Sequence, residues 1–180
     1  MKYLFTLMFL VLSSLGFTQS ENYDVRSVRW GMTKEDVIKA EGTPTETATN
    51  LVRYTDVEMG KFSVAVTYSF INNQLNKVDI VVPNKSQSSS KSFNVLEAIL
   101  KQQYGNPTEV TNIWATTNQK LRSDSSAAII AGALARNSTR TNIRTTVYHT
   151  IYGVNGNTIH QLIYKPRVGI KAKLDNSSKR

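Results

Sequence analysis

Two short helical patterns in this chain run into the same kind of stop, Gly42-Thr43-Pro44 and Gly105-Asn106-Pro107, and each stop opens onto strand-like runs. A glycine supplies the left-handed conformation that closes a helix, and a proline just beyond it blocks any continuation. A chain that repeats this order has to lay helices against a sheet.

The first unit is the better marked. Thr33 is a good N-cap, with Asp36 at the capping-box position, and Val37, Ile38 and Ala40 form the apolar stripe of a helix reaching about Glu41. Strands are expected at Leu51 to Val57, Lys61 to Ile71 and Gln74 to Val82. The middle run is the clearest, because Phe62, Val64, Val66, Tyr68 and Phe70 alternate with small polar residues. Met59-Gly60 and Asn72-Asn73 supply the turns. A serine-rich stretch, residues 84–92, reads as a linker. Beyond it Phe93, Leu96, Ile99, Leu100 and Tyr104 recur at helical spacing. Strands are then expected at Glu109 to Thr116, Thr141 to Tyr152 and Thr158 to Lys165, the last two joined around Asn155-Gly156.

The expected fold is therefore α+β, with helices packed on an antiparallel sheet and two α-β-β-β pseudo-repeats at 24–83 and 93–165. Residues 117–139 have no counterpart in the first repeat and read as an insertion. Its run Ala127 to Ala135 favours a short helix that covers a sheet edge, with a loop docking on a membrane or partner as the alternative.

Residues 1–20 read as a secretory signal peptide: Met1 and Lys2, an apolar run from Leu4 to Phe17, then Thr18, Gln19 and Ser20. That run is shorter than the roughly 20 residues a membrane span requires, so an exported, periplasmic or secreted protein without a transmembrane span in its mature part is expected. The 180 residues contain no cysteine, which excludes disulfides, thiol nucleophiles, Cys-based zinc sites and a lipid-modified cysteine. The net charge of +9 is concentrated in the second repeat and the tail, while the first forty residues after the apolar run are acidic in balance. Residues 166–180 read as a disordered basic tail, which, together with Lys165, suits an anionic surface. Export argues against nucleic acid as a partner of this tail or of Arg136, Arg140 and Arg144, which recur at spacings of four.

The string from Trp30 to Pro44, WGMTKEDVIKAEGTP, resembles the Gly-x-Thr-x-x-x-Val to Gly-x-Pro signature of the SmpA/OmlA outer-membrane assembly lipoproteins. The tandem helix-and-strands unit resembles the related beta-lactamase-inhibitor-protein-like (BLIP-like) fold. The resemblance implies a helix layer on an antiparallel sheet whose outer face is free to bind another protein. It carries over neither family's particular target.

Chemistry leaves fewer traces. His149 and His160 are the two histidines; a two-residue turn at Asn155-Gly156 sets His149 opposite Leu162 and His160 opposite Ile151 as diagonal neighbours, a turn shifted by one residue sets them directly opposite, and either way they share a face. Zinc wants three or four ligands and neither strand carries a carboxylate, so two ordinary sheet histidines are expected, with no metal and no cofactor. No G-x-S-x-G elbow, phosphate-cradling glycine loop, EF-hand or dinucleotide fingerprint is present. The expected function is a non-enzymatic binding module that contacts a protein partner through an exposed sheet face. Arg144, Tyr148, Tyr152 and Trp114 are its candidate contact residues. The opposite assignment of faces puts Ile143, Val147 and Ile151 outside. Two alternatives remain open: a small secreted hydrolase using His149 or His160, which requires one of them in a pocket and within reach of a serine or carboxylate, and a binder of an apolar ligand.

Overall fold

The computed structural model describes residues 23–82, 90–115, 122–168, 170, 171 and 174. The expected signal peptide, residues 84–89 of the expected linker, residues 117–121 of the insertion and most of the tail lie outside them.

One eight-stranded antiparallel sheet organises the chain. Helix α1 (Lys34–Glu41) is followed by β1 (Glu46–Ala48), β2 (Leu51–Met59), β3 (Phe62–Ile71) and β4 (Gln74–Val82). Helix α2 (Ser90–Tyr104) is followed by β5 (Glu109–Trp114), α3 (Ser125–Ile130), β6 (Leu134–Thr141), β7 (Thr145–Val154) and β8 (Asn157–Pro166). The strand order β1-β2-β3-β4-β8-β7-β6-β5 reads alike from both ends and joins the two halves at β4 and β8. Among the described residues no helix is long and apolar enough to cross a membrane.

Both helix stops form as the sequence predicts. Thr33 caps α1 by accepting from the Asp36 N–H, and Gly42, at φ 90°, returns its N–H to the Ile38 carbonyl. Gly105, at φ 82°, does the same for Lys101 at the end of α2. Helix α2 buries Phe93, Leu96 and Leu100 against the sheet, each contributing about 1.5–3 kcal/mol by removing its side chain from water.

Four expectations need correction. Among the described residues each half has four strands rather than three. Ser90, Ser92 and the lysine between them belong to α2 rather than to a linker, and Ser92 is 4% exposed. The expected insertion, 117–139, contains α3 and also most of β6. The expected strand from Thr141 to Tyr152 is two strands turning between Thr141 and Thr145. Strand β6 escapes the alternation rule because its inward positions are Leu134, Arg136, Ser138 and Arg140, where a hydrophobic face would have been sought. Period two also places residues four apart on one face, so the spacing of Arg136 and Arg140 reflects a strand, while Arg144 sits in the turn before β7.

The larger core lies under α1, α2 and β2 to β4, and extends across the seam to Val147, Leu162 and Tyr164. A smaller cluster of Phe93, Ala128, Ile129, Ala133, Leu134 and Ile151 lies under α3, with Trp114 packed at its border. Between them the inner face of the sheet is polar.

Candidate functional site

The inner face of β6, β7 and β8 carries Ser138, Arg140, His149 and His160, and α2 lies over them. The hairpin register is the expected one, His149 opposite Leu162 and Ile151 opposite His160, so both imidazoles point inward. They are 1% and 0% exposed. Their Nε2 atoms are 2.8 Å apart. With ring centroids 5.0 Å apart and planes inclined by 21°, the two rings meet end to end, in line with a single N–H···N bond.

The missing carboxylate comes from the helix. Glu97 Oε1 lies 2.5 Å from His149 Nδ1 and accepts from Ser138 Oγ at 2.6 Å. Arg140, itself 2% exposed, grips both carboxylate oxygens through Nη1 at 3.1 Å and Nη2 at 2.7 Å, and its Nε donates to the Gly105 carbonyl at 3.1 Å. Burial alone would raise the Glu97 carboxyl, but hydrogen bonds from His149, Arg140 and Ser138 outweigh it and hold it down at about 2. Burial pushes His160 down to about 3, with the His149 charge adding to it, and pushes His149 down despite Glu97.

These states define where the protons sit. An ionised Glu97 only accepts, so His149 donates from Nδ1 and presents a lone pair at Nε2. His160 then donates from Nε2, and its Nδ1 faces Ser92 Oγ at 3.5 Å. The result is a directional chain from Ser92 through His160 and His149 to Glu97. Phe93 stacks on His149 at 4.0 Å, and the Arg136 guanidinium covers Phe93 at 4.4 Å. Arg136 is in turn held by Ser90 Oγ and Asn94 Oδ1. Among the described residues no group of three or more metal-binding side chains converges.

The expected contact residues are not brought together as a set. Tyr148 and Tyr152 share the outward face of β7 with Thr146 and Thr150. Tyr148 is 41% exposed, whereas Val147 and Ile151 are 1% and 0% exposed on the inner face. The opposite assignment, with Val147 and Ile151 outside, is therefore overturned; Ile143 is exposed because it sits in the turn before β7. Neighbours on this face are Ile163 opposite Tyr148 and Ile159 opposite Tyr152, with Lys165 Nζ 5.6 Å from the centre of the Tyr148 ring. Trp114 lies on the other face, half-buried against the smaller core with Arg122 over its ring. Arg144 makes two bonds to the buried Asp24 carboxylate, Nε at 2.6 Å and Nη2 at 2.9 Å. It ties the start of the described chain to β7.

Sequence reasoning missed Glu97, Ser92 and Ser138, and named Arg140 only among the arginines weighed for nucleic acid. One signal was present: Glu97 falls four residues after Phe93 and three before Leu100, on the apolar stripe itself. A charge there implies a buried partner. No protein-family model, no curated protein and no solved structure matches the chain.

Proposed function

We propose that this is an exported, non-enzymatic binding module of the cell envelope or secreted space, contacting a protein partner through the outward face of β7 and β8. The observation that carries the reading is the division of labour across β7. Its histidine, His149, is sealed inside, while Tyr148, Thr150 and Tyr152 face outward beside Ile159, Ile163 and Lys165. Aromatic side chains lose little entropy on contact, and hydroxyls and a flanking cation add direction, a composition suited to protein recognition. Export is supported by the apolar run of residues 1–20. A BLIP-like relationship is supported by the two helix-then-strands halves and the palindromic sheet order, here with four strands in each half.

The test is a photo-crosslinking amino acid placed at Tyr148, with Lys39 on α1 as the control position, in cells that produce the protein. A discrete adduct from position 148 that is missing from position 39 is expected. The same adduct pattern from both positions, or none from position 148, refutes the reading.

A second reading, a hydrolase, has one specific observation behind it: the chain from Glu97 through His149 and His160 ends at a serine hydroxyl. It ranks second because Ser92 is 4% exposed and its contact with His160, at 3.5 Å, is long for a hydroxyl being activated. Labelling by a fluorophosphonate that disappears in Ser92→Ala would reverse the order.

A further inference from the structure

Strand β5 closes one end of the sheet, and its outer edge is built as though for pairing. Exposed edges are commonly shortened, charged, bulged or interrupted by proline, because their free N–H and C=O groups template another strand. The opposite edge follows that practice. Strand β1 is three residues long and carries Glu46 near Arg53, and the neighbouring β2 is irregular between Tyr54 and Val57. Strand β5 does not. Its six residues, Glu109, Val110, Thr111, Asn112, Ile113 and Trp114, pair with β6 in unbroken register, and they include no proline, lysine or arginine. Val110 and Ile113, on opposite faces, are 55% and 56% exposed.

The phase of the ladder identifies the outward groups. The Ala115 N–H bonds the Ala133 carbonyl at 2.9 Å. Hydrogen-bonded pairs alternate in an antiparallel ladder, so Ile113, Thr111 and Glu109 direct their backbone groups to β6. Val110, Asn112 and Trp114 direct theirs to the side where no strand of the described residues pairs.

We infer that β5 pairs antiparallel with β5 of a second copy of this chain, about a two-fold axis through Asn112. This register sets Val110 opposite the partner copy's Trp114, Asn112 opposite its own counterpart, and Thr111 opposite the partner copy's Ile113. It also sets Glu109, the one charged residue of the strand, opposite the partner copy's Ala115, so no like charges meet. Branched, aromatic and amide pairs of this kind stabilise antiparallel strands. The two-fold operation closes the assembly at two copies, joining the two eight-stranded sheets edge to edge. The outward faces of the two copies then continue into each other, independently of whether that face binds a protein partner.

The chain has no cysteine, so one introduced thiol reports its own surroundings. Opposed residues in a β ladder have Cα atoms within disulfide range. The expected results are a dimer by light scattering for the full chain, a disulfide-linked dimer on mild oxidation of Asn112→Cys, and no such link for Val110→Cys. Ile113→Lys should halve the scattering mass without changing the circular dichroism spectrum, and Tyr148→Ala should leave the dimer intact. A monomeric wild type at every accessible concentration overturns the proposal. So does a dimer that survives Ile113→Lys, or one that crosslinks through Val110→Cys and not through Asn112→Cys.

Discussion

Arg140 is the residue with most at stake, because its guanidinium is buried and, among the described residues, its charge is balanced by an ion pair with Glu97. Removing one partner of a buried pair leaves the other charged and desolvated, which costs about 3–5 kcal/mol. Glu97→Gln should therefore lower the unfolding free energy, read from urea melts, by an amount in that range, and the double variant Glu97→Leu/Arg140→Met should recover much of it. A double variant as unstable as Glu97→Gln would show that the pair itself holds the fold. His160 makes a second prediction. Its folded pKa of about 3 lies below the ordinary value of 6.5, so the unfolded chain takes up a proton first as the pH falls. Its contribution is fully present above about pH 6.5 and is lost between there and pH 3. At pH 5 the linkage amounts to about 2 kcal/mol relative to pH 8, with His149 acting in the same direction. Glu97 extends the loss below pH 4.5, because its folded pKa is also depressed. Unfolding free energies of the wild type and His160→Gln at the two pH values check this: the variant should show the smaller drop, and equal drops would exclude His160 as the source. The geometry agrees with the sign, since two imidazoles meeting nitrogen to nitrogen share one proton and a second one sets N–H against N–H.

Helix α3 is held by the absence of a side chain. A Cβ built on Gly153 of β7 would overlap the Ile129 carbonyl oxygen and lie 2.8 Å from that of Ile130, and backbone at both contacts has little room to yield. Gly153→Ala should cost about 1–3 kcal/mol as an overpacking change, and should expose the amides of α3 to hydrogen exchange before those of β7. Uniform exchange across both would show that the helix adjusts. This element also shows how far the sequence could be read. The helices with glycine stops, the strand from Phe62 to Ile71 and the hairpin register around Asn155-Gly156 were legible, because each depends on local periodicity or turn chemistry. Strand β6 was not, because Arg136, Ser138 and Arg140 occupy inward positions and are satisfied by Ser90, Asn94 and Glu97, more than forty residues earlier in the chain. The same long-range pairing hid the buried site. Two histidines on one face were predictable, but the carboxylate that orients them belongs to an element that the sheet pattern does not locate. The tie between Arg144 and Asp24 was hidden for the same reason, since Asp24 lies 120 residues earlier in the chain.

Across the molecule, the repeat in the sequence does not make two independent domains. Strand β4 pairs with β8 from Val78 opposite Tyr164 to Val82 opposite His160, and Val147, Leu162 and Tyr164 complete the core of the first half. Asp24 and Trp30 add polar ties: the Asp24 carboxylate holds Arg144, and Trp30 Nε1 donates to Thr145 Oγ1 at 3.0 Å. Neither half can expose its side of this seam without stripping apolar surface from the other, so the two should unfold together. The chain contains two tryptophans, and they sit well for the test: Trp30 lies on the first half at the seam, and Trp114 lies on β5 at the far end of the second. In Trp114→Phe the fluorescence reports the first half, and in Trp30→Phe it reports the second. Trp30→Phe should also lose about 1 kcal/mol, from the hydrogen bond to Thr145. In each variant the fluorescence and far-ultraviolet circular dichroism midpoints in urea should coincide. A fluorescence midpoint displaced from the dichroism midpoint in Trp30→Phe would mean that β5, α3 and their cluster melt separately from the seam. The sheet would then be two cooperative units in spite of its continuous hydrogen bonding.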